Sequence, residues 1–201
     1  TTYTERDYEY IIDDCTPTVV IVSDKIQYEK IKGIIPKKNF IKKIILFECI
    51  ENIDKEFNLN IEDIFKKNIS NSKNFLDLEI QRKDIACIIY TSGTQGNPKG
   101  VMLSHGGILN NCEGAYELLK SFISKTPKFL TWLPLSHSYE HTVQFVQIVV
   151  GARVFYAEGI EKLIKNMSDC SPEIMTAVPR FYQNLYQKIN AMFGKTKGLK
   201  K

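Results

Sequence analysis

Short apolar runs alternate along this chain with stretches of helical spacing, and the order of the two sets the expected fold. Residues 4–14 place Tyr8, Ile11 and Ile12 on one helical face behind Thr4, a suitable N-cap. The β-branched run 18–22 then reads as a buried strand, 24–32 as a helix closed by Gly33 and a turn at Pro36, and 44–47 as a second strand. Residues 51–83 are polar and give only a modest helix near 61–67. From there the pattern sharpens. Ile85-Ala86-Cys87-Ile88-Ile89-Tyr90 is continuous and apolar, the mark of a strand buried on both faces. A short strand at 101–103 leads to Ser104, which caps a helix running to about 122. A strand at 129–133 stops at Pro134, a largely apolar helix covers 137–150, and Gly151 breaks it before a strand at 152–156. A helix near 160–167, a strand at 174–177 and a helix from Pro179 to about 192 complete the series. Strands alternating with helices predict an α/β fold with a mainly parallel sheet and flanking helices. No repeat, low-complexity segment or domain boundary stands out.

Composition narrows the function classes. A chain of 201 residues with 43% hydrophobic and 25% charged residues is globular, enough for one well-buried domain or two very small ones. The net charge of +4 is spread over lysine pairs at 37–38, 42–43 and 66–67, which read as solvated faces, so no nucleic-acid partner is expected. The Lys-rich stretch 195–201 reads as solvated, allowing at most peripheral contact with an anionic membrane surface. Five scattered cysteines, without a C-x-x-C pair, point to a reducing compartment rather than a disulfide framework or zinc site. No apolar stretch reaches the roughly 18 residues of a membrane span, and no signal sequence opens the chain; a cytoplasmic location is the expectation. The first residue is Thr rather than Met, which suggests a start inside a longer reading frame or processing.

Chemistry concentrates in YTSGTQGNPKG, residues 90–100. Three glycines let the backbone approach an anion closely and turn its N–H groups inward, and Lys99 supplies a charge for outer phosphates. The Walker A pattern is excluded, because Pro98 precedes the lysine and Gly100 follows it. These eleven residues resemble the phosphate-binding signature of the adenylate-forming superfamily, in which an aromatic residue precedes TSGTTGNPKG; Gln95 is the one departure, a longer side chain that still donates from its amide. The resemblance implies that Thr91, Ser92, Gly93, Thr94, Gln95, Gly96 and Lys99 bind the β- and γ-phosphates of ATP, with Lys99 catalytic.

Two further segments carry the same resemblance. Leu133-Pro134-Leu135-Ser136-His137, with Glu140 following, looks like the second core motif in its long-chain acyl-CoA synthetase form. There the resemblance makes His137 a catalytic residue that positions the substrate carboxylate and puts Trp132 and His137 at the acyl site. The family usually has Arg after the Glu, and this chain has His141. Ile174 to Tyr182, with Val178-Pro179-Arg180, is similar to the family segment at the same point, and Arg180 and Glu140 are candidate supports, paired with each other or with a ligand anion. A serine-hydrolase reading fails for want of a G-x-S-x-G elbow, and the three histidines lack metal-ligand spacing, so no protein metal site is expected.

Together these segments suggest part of the large N-terminal domain of a long-chain fatty acid CoA ligase, with an amino-terminal portion and a C-terminal lid domain missing. The resemblance implies ATP, Mg2+ and CoA as reactants: fatty acid and ATP give acyl-adenylate and pyrophosphate, then CoA takes the acyl group as a thioester. The later family motifs that reach magnesium and ribose do not occur, so the chain is expected to be inactive alone and to need a complementary C-terminal chain. Two alternatives stay open: a non-catalytic nucleotide-binding or interaction remnant, and a ligase for a different carboxylic acid.

Overall fold

The computed structural model describes residues 3–51, 53–66, 78–91 and 96–195. Within them the chain divides into two compact units, the first formed by 1–80 with 90–101 and the second by 81–89 with 102–201. No boundary is legible in the residue pattern because the division crosses the strands on either side of the glycine-rich segment, not a Pro- or Gly-rich linker between elements.

The first unit is built on a three-stranded parallel sheet. Helix α1 (Glu5–Cys15) starts at Thr4, whose side chain accepts from the Asp7 N–H while Asp7 accepts from the Thr4 N–H, a reciprocal capping box. Strand β1 (Val19–Val22), helix α2 (Lys25–Ile31) capped by Asp24, a 3-10 turn (Ile35–Lys37), strand β2 (Lys43–Leu46), strand β3 (Asn58–Asn60) and helix α3 (Ile61–Lys66) follow. The strand order is β1-β2-β3, with Ile44 opposite Val20 and Asn58. Ile12, Ile31, Ile35, Ile41, Ile44 and Leu46 form its core. Strand β1, at one edge of this sheet, is only half buried, with Ile21 59% exposed. The short β3 escaped the sequence reading, since Asn58-Leu59-Asn60 has too few apolar residues to show a period.

Strands β4 (Ile85–Thr91) and β5 (Lys99–Ser104) form a two-stranded sheet around the glycine-rich segment. The expectation of a strand buried on both faces is corrected here: Ile85 is 55% and Ile88 40% exposed, because β4 has β5 as its only strand neighbour among the described residues.

The second unit continues with α4 (His105–Leu119), whose cap Ser104 accepts from the Gly107 N–H. Strand β6 (Lys128–Thr131), helix α5 (Ser138–Val149), strand β7 (Arg153–Tyr156), helix α6 (Leu163–Cys170), strand β8 (Ile174–Met175) and helix α7 (Pro179–Lys195) complete it. The sheet order is β7-β6-β8, all parallel, so β6 is central and buries Phe129, Leu130 and Thr131. Phe129 packs with Ile108, Cys112, Val146 and Val150 between α4, α5 and the sheet; Leu130 packs with Leu163 and Cys170 against α6. Each such buried side chain contributes about 1.5–3 kcal/mol relative to exposure. Both three-stranded sheets are thus parallel and helix-associated, as the alternating pattern predicts. Among the described residues no helix is long and apolar enough to cross a membrane.

Candidate functional site

The glycine-rich segment starts from a fixed base. Tyr90 donates its hydroxyl to Asp14 Oδ2 at 2.5 Å, and its carbonyl accepts from the Tyr3 hydroxyl at 3.3 Å, so α1 and the residues before it hold the end of β4. Burial, helped by the Asp14 carboxylate, raises the Tyr90 phenol well above its usual range and keeps it a neutral donor. Thr91 is exposed, and Ser92, Gly93, Thr94 and Gln95 lie outside the described residues. Gly96 has φ +128°, a backbone conformation that ordinary side chains rarely adopt, and a Cβ there would meet nothing within 4 Å among the described residues. Pro98 is buried and Lys99 exposed at the start of β5. Among the described residues Lys99 has no ion-pair partner. A positive-φ glycine with no described atom near its missing Cβ, and an ammonium three residues on that is unpaired among the described residues, fit a phosphate-bearing ligand. No cluster of three His, Cys, Asp or Glu side chains able to hold a metal exists among the described residues.

The other candidates belong to the second unit. Strand β6 ends at Thr131, Trp132 follows, and the chain turns through Pro134 so that the His137 N–H donates to the Pro134 carbonyl at 3.0 Å. His137 is the exposed N-cap of α5, its Nδ1 accepting from the Tyr139 N–H at 3.2 Å. An accepting Nδ1 is bare, so in the neutral ring the proton sits on Nε2, ready to donate to a carboxylate oxygen.

Glu140, one turn further, is fully buried at 0% exposure. Its Oε2 accepts from the Thr176 hydroxyl at 2.5 Å, and its Oε1 has no partner among the described residues. The Thr176 carbonyl in turn accepts from the Trp132 indole N–H at 2.6 Å, and the Trp132 ring lies 5.2 Å from Phe181. Thr176 therefore joins two residues that the sequence had singled out separately. Of the two pairings open to Arg180, the one with Glu140 is absent among the described residues: the carboxylate is engaged by Thr176 inside the unit, and Arg180 is exposed on α7. His141, where an arginine was customary, places Nε2 3.4 Å from Cys87 Sγ on β4 and packs its ring edge-on against Phe145 at 5.1 Å. Burial pushes the Cys87 thiol up.

Between α4 and α5 lies a cavity of about 1050 Å3. Leu118, Leu119, Phe129, Val143, Val146 and Ile174 supply apolar wall, Gly107 and Gly114 open one side, and Ser138, Tyr139 and Thr176 bring polar groups near the start of α5. His137 and Trp132 are not part of this lining; Trp132 borders a second cavity with Arg180. The sequence reading missed the α5 wall and Thr176. A usable signal was present in α4, where Gly107 and Gly114 recur at seven residues, two turns of one face.

Comparison with known proteins bears on the family and the fold. The AMP-binding enzyme family matches residues 1–200. Long chain acyl-CoA synthetase 4 of Arabidopsis thaliana is 33% identical over 189 residues, 89% of this chain and 28% of the relative. Long-chain-fatty-acid--CoA ligase 1 of Homo sapiens is 31% identical over 110 residues, 53% of this chain and 16% of the relative. The chain thus spans under a third of the curated relatives it matches. Among solved structures, ATP-bound MatB from Rhodopseudomonas palustris superposes with a TM-score of 0.67 at 24% identity, covering 93% of this chain and 35% of that one. O-succinylbenzoate Coenzyme A Synthetase from Bacillus subtilis, in complex with ATP and magnesium ion, gives a TM-score of 0.68 at 16% identity, over 92% and 34%. The glycine-rich signature, the parallel sheets and these matches converge on one assignment: the chain belongs to the AMP-binding family of adenylate-forming enzymes, and long-chain acyl-CoA synthetases are among its relatives.

Proposed function

We propose that this chain forms the phosphate- and acyl-binding part of a long-chain fatty acid CoA ligase, working with a further polypeptide region that completes the active site. The observation that carries the reading is the mainly apolar cavity of about 1050 Å3 whose polar groups gather at the start of α5, next to His137. Such a cavity suits a long acyl tail with its carboxylate directed towards the helix start, where N–H groups and the dipole favour negative charge. In this reading the His137 Nε2–H holds a carboxylate oxygen, and Lys99 with the backbone around Gly96 offsets charge on the ATP phosphates. ATP, with magnesium bound to its phosphates, supplies the leaving group that makes the acyl carbon reactive, and CoA supplies the thiol acceptor. The chain's own residues bind and orient these reactants, and the preorganised charge is the catalytic contribution. Five free cysteines support a reducing, cytoplasmic setting.

Calorimetric titration with ATP tests the phosphate half: saturable heat from the chain and its loss in Lys99→Ala are expected, whereas no heat from the wild-type chain, or equal heat from both, overturns it. For the reaction, labelled pyrophosphate exchange with ATP, magnesium and hexadecanoate is expected only after a complementary chain is added. Exchange with a short-chain acid but not with hexadecanoate would overturn the long-chain assignment.

A further inference from the structure

The first unit holds a cavity of about 460 Å3 that neither the phosphate site nor the acyl site uses. It opens where the parallel strands β2 and β3 finish, at the paired residues Leu46 and Asn60, and the carboxyl ends of parallel strands are where α/β folds hold ligands. Ile50, Ile53 and Leu59 give it apolar wall. Its reactive groups are Cys49, an exposed free thiol, and the exposed side chains of Lys55, Asp63 and Lys66. Among the described residues Lys55 and Asp63 have no ion-pair partner. Lys66 has only Glu62 at 3.8 Å, a weak pair because the two side chains are 72% and 76% exposed. The acids beside Cys49 are directed elsewhere: Glu48 accepts from the Lys25 N–H at 2.7 Å, and Glu51 lines a different cavity beside α2. Asn58, 6% exposed, lines the same cavity as Cys49. Its Nδ2 donates to the Asp54 carbonyl at 2.8 Å, which fixes the amide, and its Oδ1 has no partner among the described residues. A buried acceptor without a donor is unfavourable, and a ligand N–H would relieve it.

We propose that Cys49 is a thiol-exchange site for a small peptide thiol bearing two carboxylates and one ammonium, held in this cavity as a mixed disulfide. The lining charges are the complement of that ligand: Lys55 and Lys66 take the carboxylates, Asp63 takes the ammonium, and a peptide N–H meets Asn58 Oδ1. The volume lies within the usual range for small-molecule sites. The incoming reagent is the disulfide form of the same peptide. Cys49 gives its proton to water, and its sulfur attacks one sulfur of that disulfide. The new S–S bond forms as the old one breaks, and the second half leaves as a thiolate that takes up a proton. Cys49 is thereby oxidised and the peptide disulfide reduced. An excess of the thiol form runs the exchange backwards, so the modification is reversible. The site lies within the first unit and does not depend on the ligase reading.

The chain is incubated at neutral pH with glutathione disulfide or with the neutral bis(2-hydroxyethyl) disulfide. Adducts are timed by intact mass and placed by peptide mapping. Cys49 is expected to carry the first adduct, and Cys49→Ser to remove it. Lys55→Gln and Lys66→Gln should each slow the reaction with glutathione disulfide about two- to fivefold and leave the neutral reagent unchanged. A lysine that acted only on the thiol of Cys49 would instead slow both reagents alike. Glutathione disulfide acetylated on both amino groups should react about two- to fivefold more slowly with the wild-type chain, and Asp63→Asn should erase that difference. Simple attraction of a more anionic reagent to the lysines predicts the opposite order. Lys55, Asp63 and Lys66 are all exposed, so their variants keep the fold. A first adduct at another cysteine, equal slowing of both disulfides in the lysine variants, or an acetylated reagent that reacts as fast as the free amine overturns the proposal.

Discussion

Two glycines of α4 should respond in opposite senses to the same added methyl group. Gly106 is buried at the helix start, and a Cβ built there would lie 2.8 Å from the Arg82 carbonyl oxygen and 3.0 Å from Arg82 Cβ. That oxygen cannot withdraw freely, because it accepts from the Gly106 N–H at 2.7 Å. Relief needs a shift of roughly half an ångström to reach ordinary carbon contact distances. Either the first turn of α4 moves or the hydrogen bond lengthens, and overpacking of this kind costs about 1–3 kcal/mol. The helix preference of Ala over Gly offsets about 1 kcal/mol. Gly106→Ala should therefore lose up to about 2 kcal/mol. At Gly114 a Cβ meets nothing within 4 Å, so Gly114→Ala keeps the helix gain and should add up to about 1 kcal/mol. The two variants should thus differ by about 1–3 kcal/mol, the overpacking cost alone. Urea unfolding followed by Trp132 fluorescence, which reports on the unit containing both glycines, measures the gap; for a unit of this size each kcal/mol moves Tm by about 4–8 °C. If Gly106→Ala is as stable as Gly114→Ala, or more stable, the close approach to Arg82 does not constrain the helix start and the reasoning fails.

Thr176→Val leaves Glu140 fully buried with neither oxygen hydrogen-bonded and should cost about 1–3 kcal/mol, whereas Thr176→Ser keeps the donor and should cost far less; matched urea midpoints for the two would remove the hydroxyl from the account. Bonds from the Ser124 N–H and hydroxyl and the Lys128 N–H hold the Glu173 carboxyl below its ordinary value of 4.5. Its contribution is thus complete above pH 4.5 and is lost as pH falls through the lower folded value, so Glu173→Gln should flatten the acid limb of a stability-against-pH curve, and an unchanged limb would contradict this. A maleimide at neutral pH should label exposed Cys49 well before Cys87 and Cys112, whose thiols burial pushes up; peptide mapping of a time course reads the order, and early labelling of Cys112 would refute it.

What the sequence disclosed and what it hid follow from range. Capping is local, so Thr4, Asp24 and Ser104 could be identified from one turn of chain, and the structure shows each side chain accepting as a cap does. Gly96 is likewise legible, because its conformation is a property of one residue. Strand burial is not local: Ile85 and Ile88 look like core until the number of neighbouring strands is known. The pairing of Glu140 joins residues 36 positions apart, and no periodicity announces that Thr176 rather than Arg180 meets it. Trp132 could be recognised as special by its place after a strand, yet which of two cavities it borders depends on α6 and α7 packing beside it. The family signature covers the phosphate segment but carries no pattern for the α4–α5 wall, where the apolar residues serve as core and cavity lining at once.

The bond between Tyr90 and Asp14 spans 76 positions, and this separation bears on how the chain is made. As it emerges from a ribosome, α1 and the first parallel sheet contain all the residues of their own core before the end of β4 has been synthesised. The base of the glycine-rich segment then docks onto an Asp14 already in place, and the late step closes a long loop around a region with its own fold rather than around open chain. A chain begun after Asp14 would still synthesise every residue of the phosphate signature, but without the anchor that the first helix keeps ready for it.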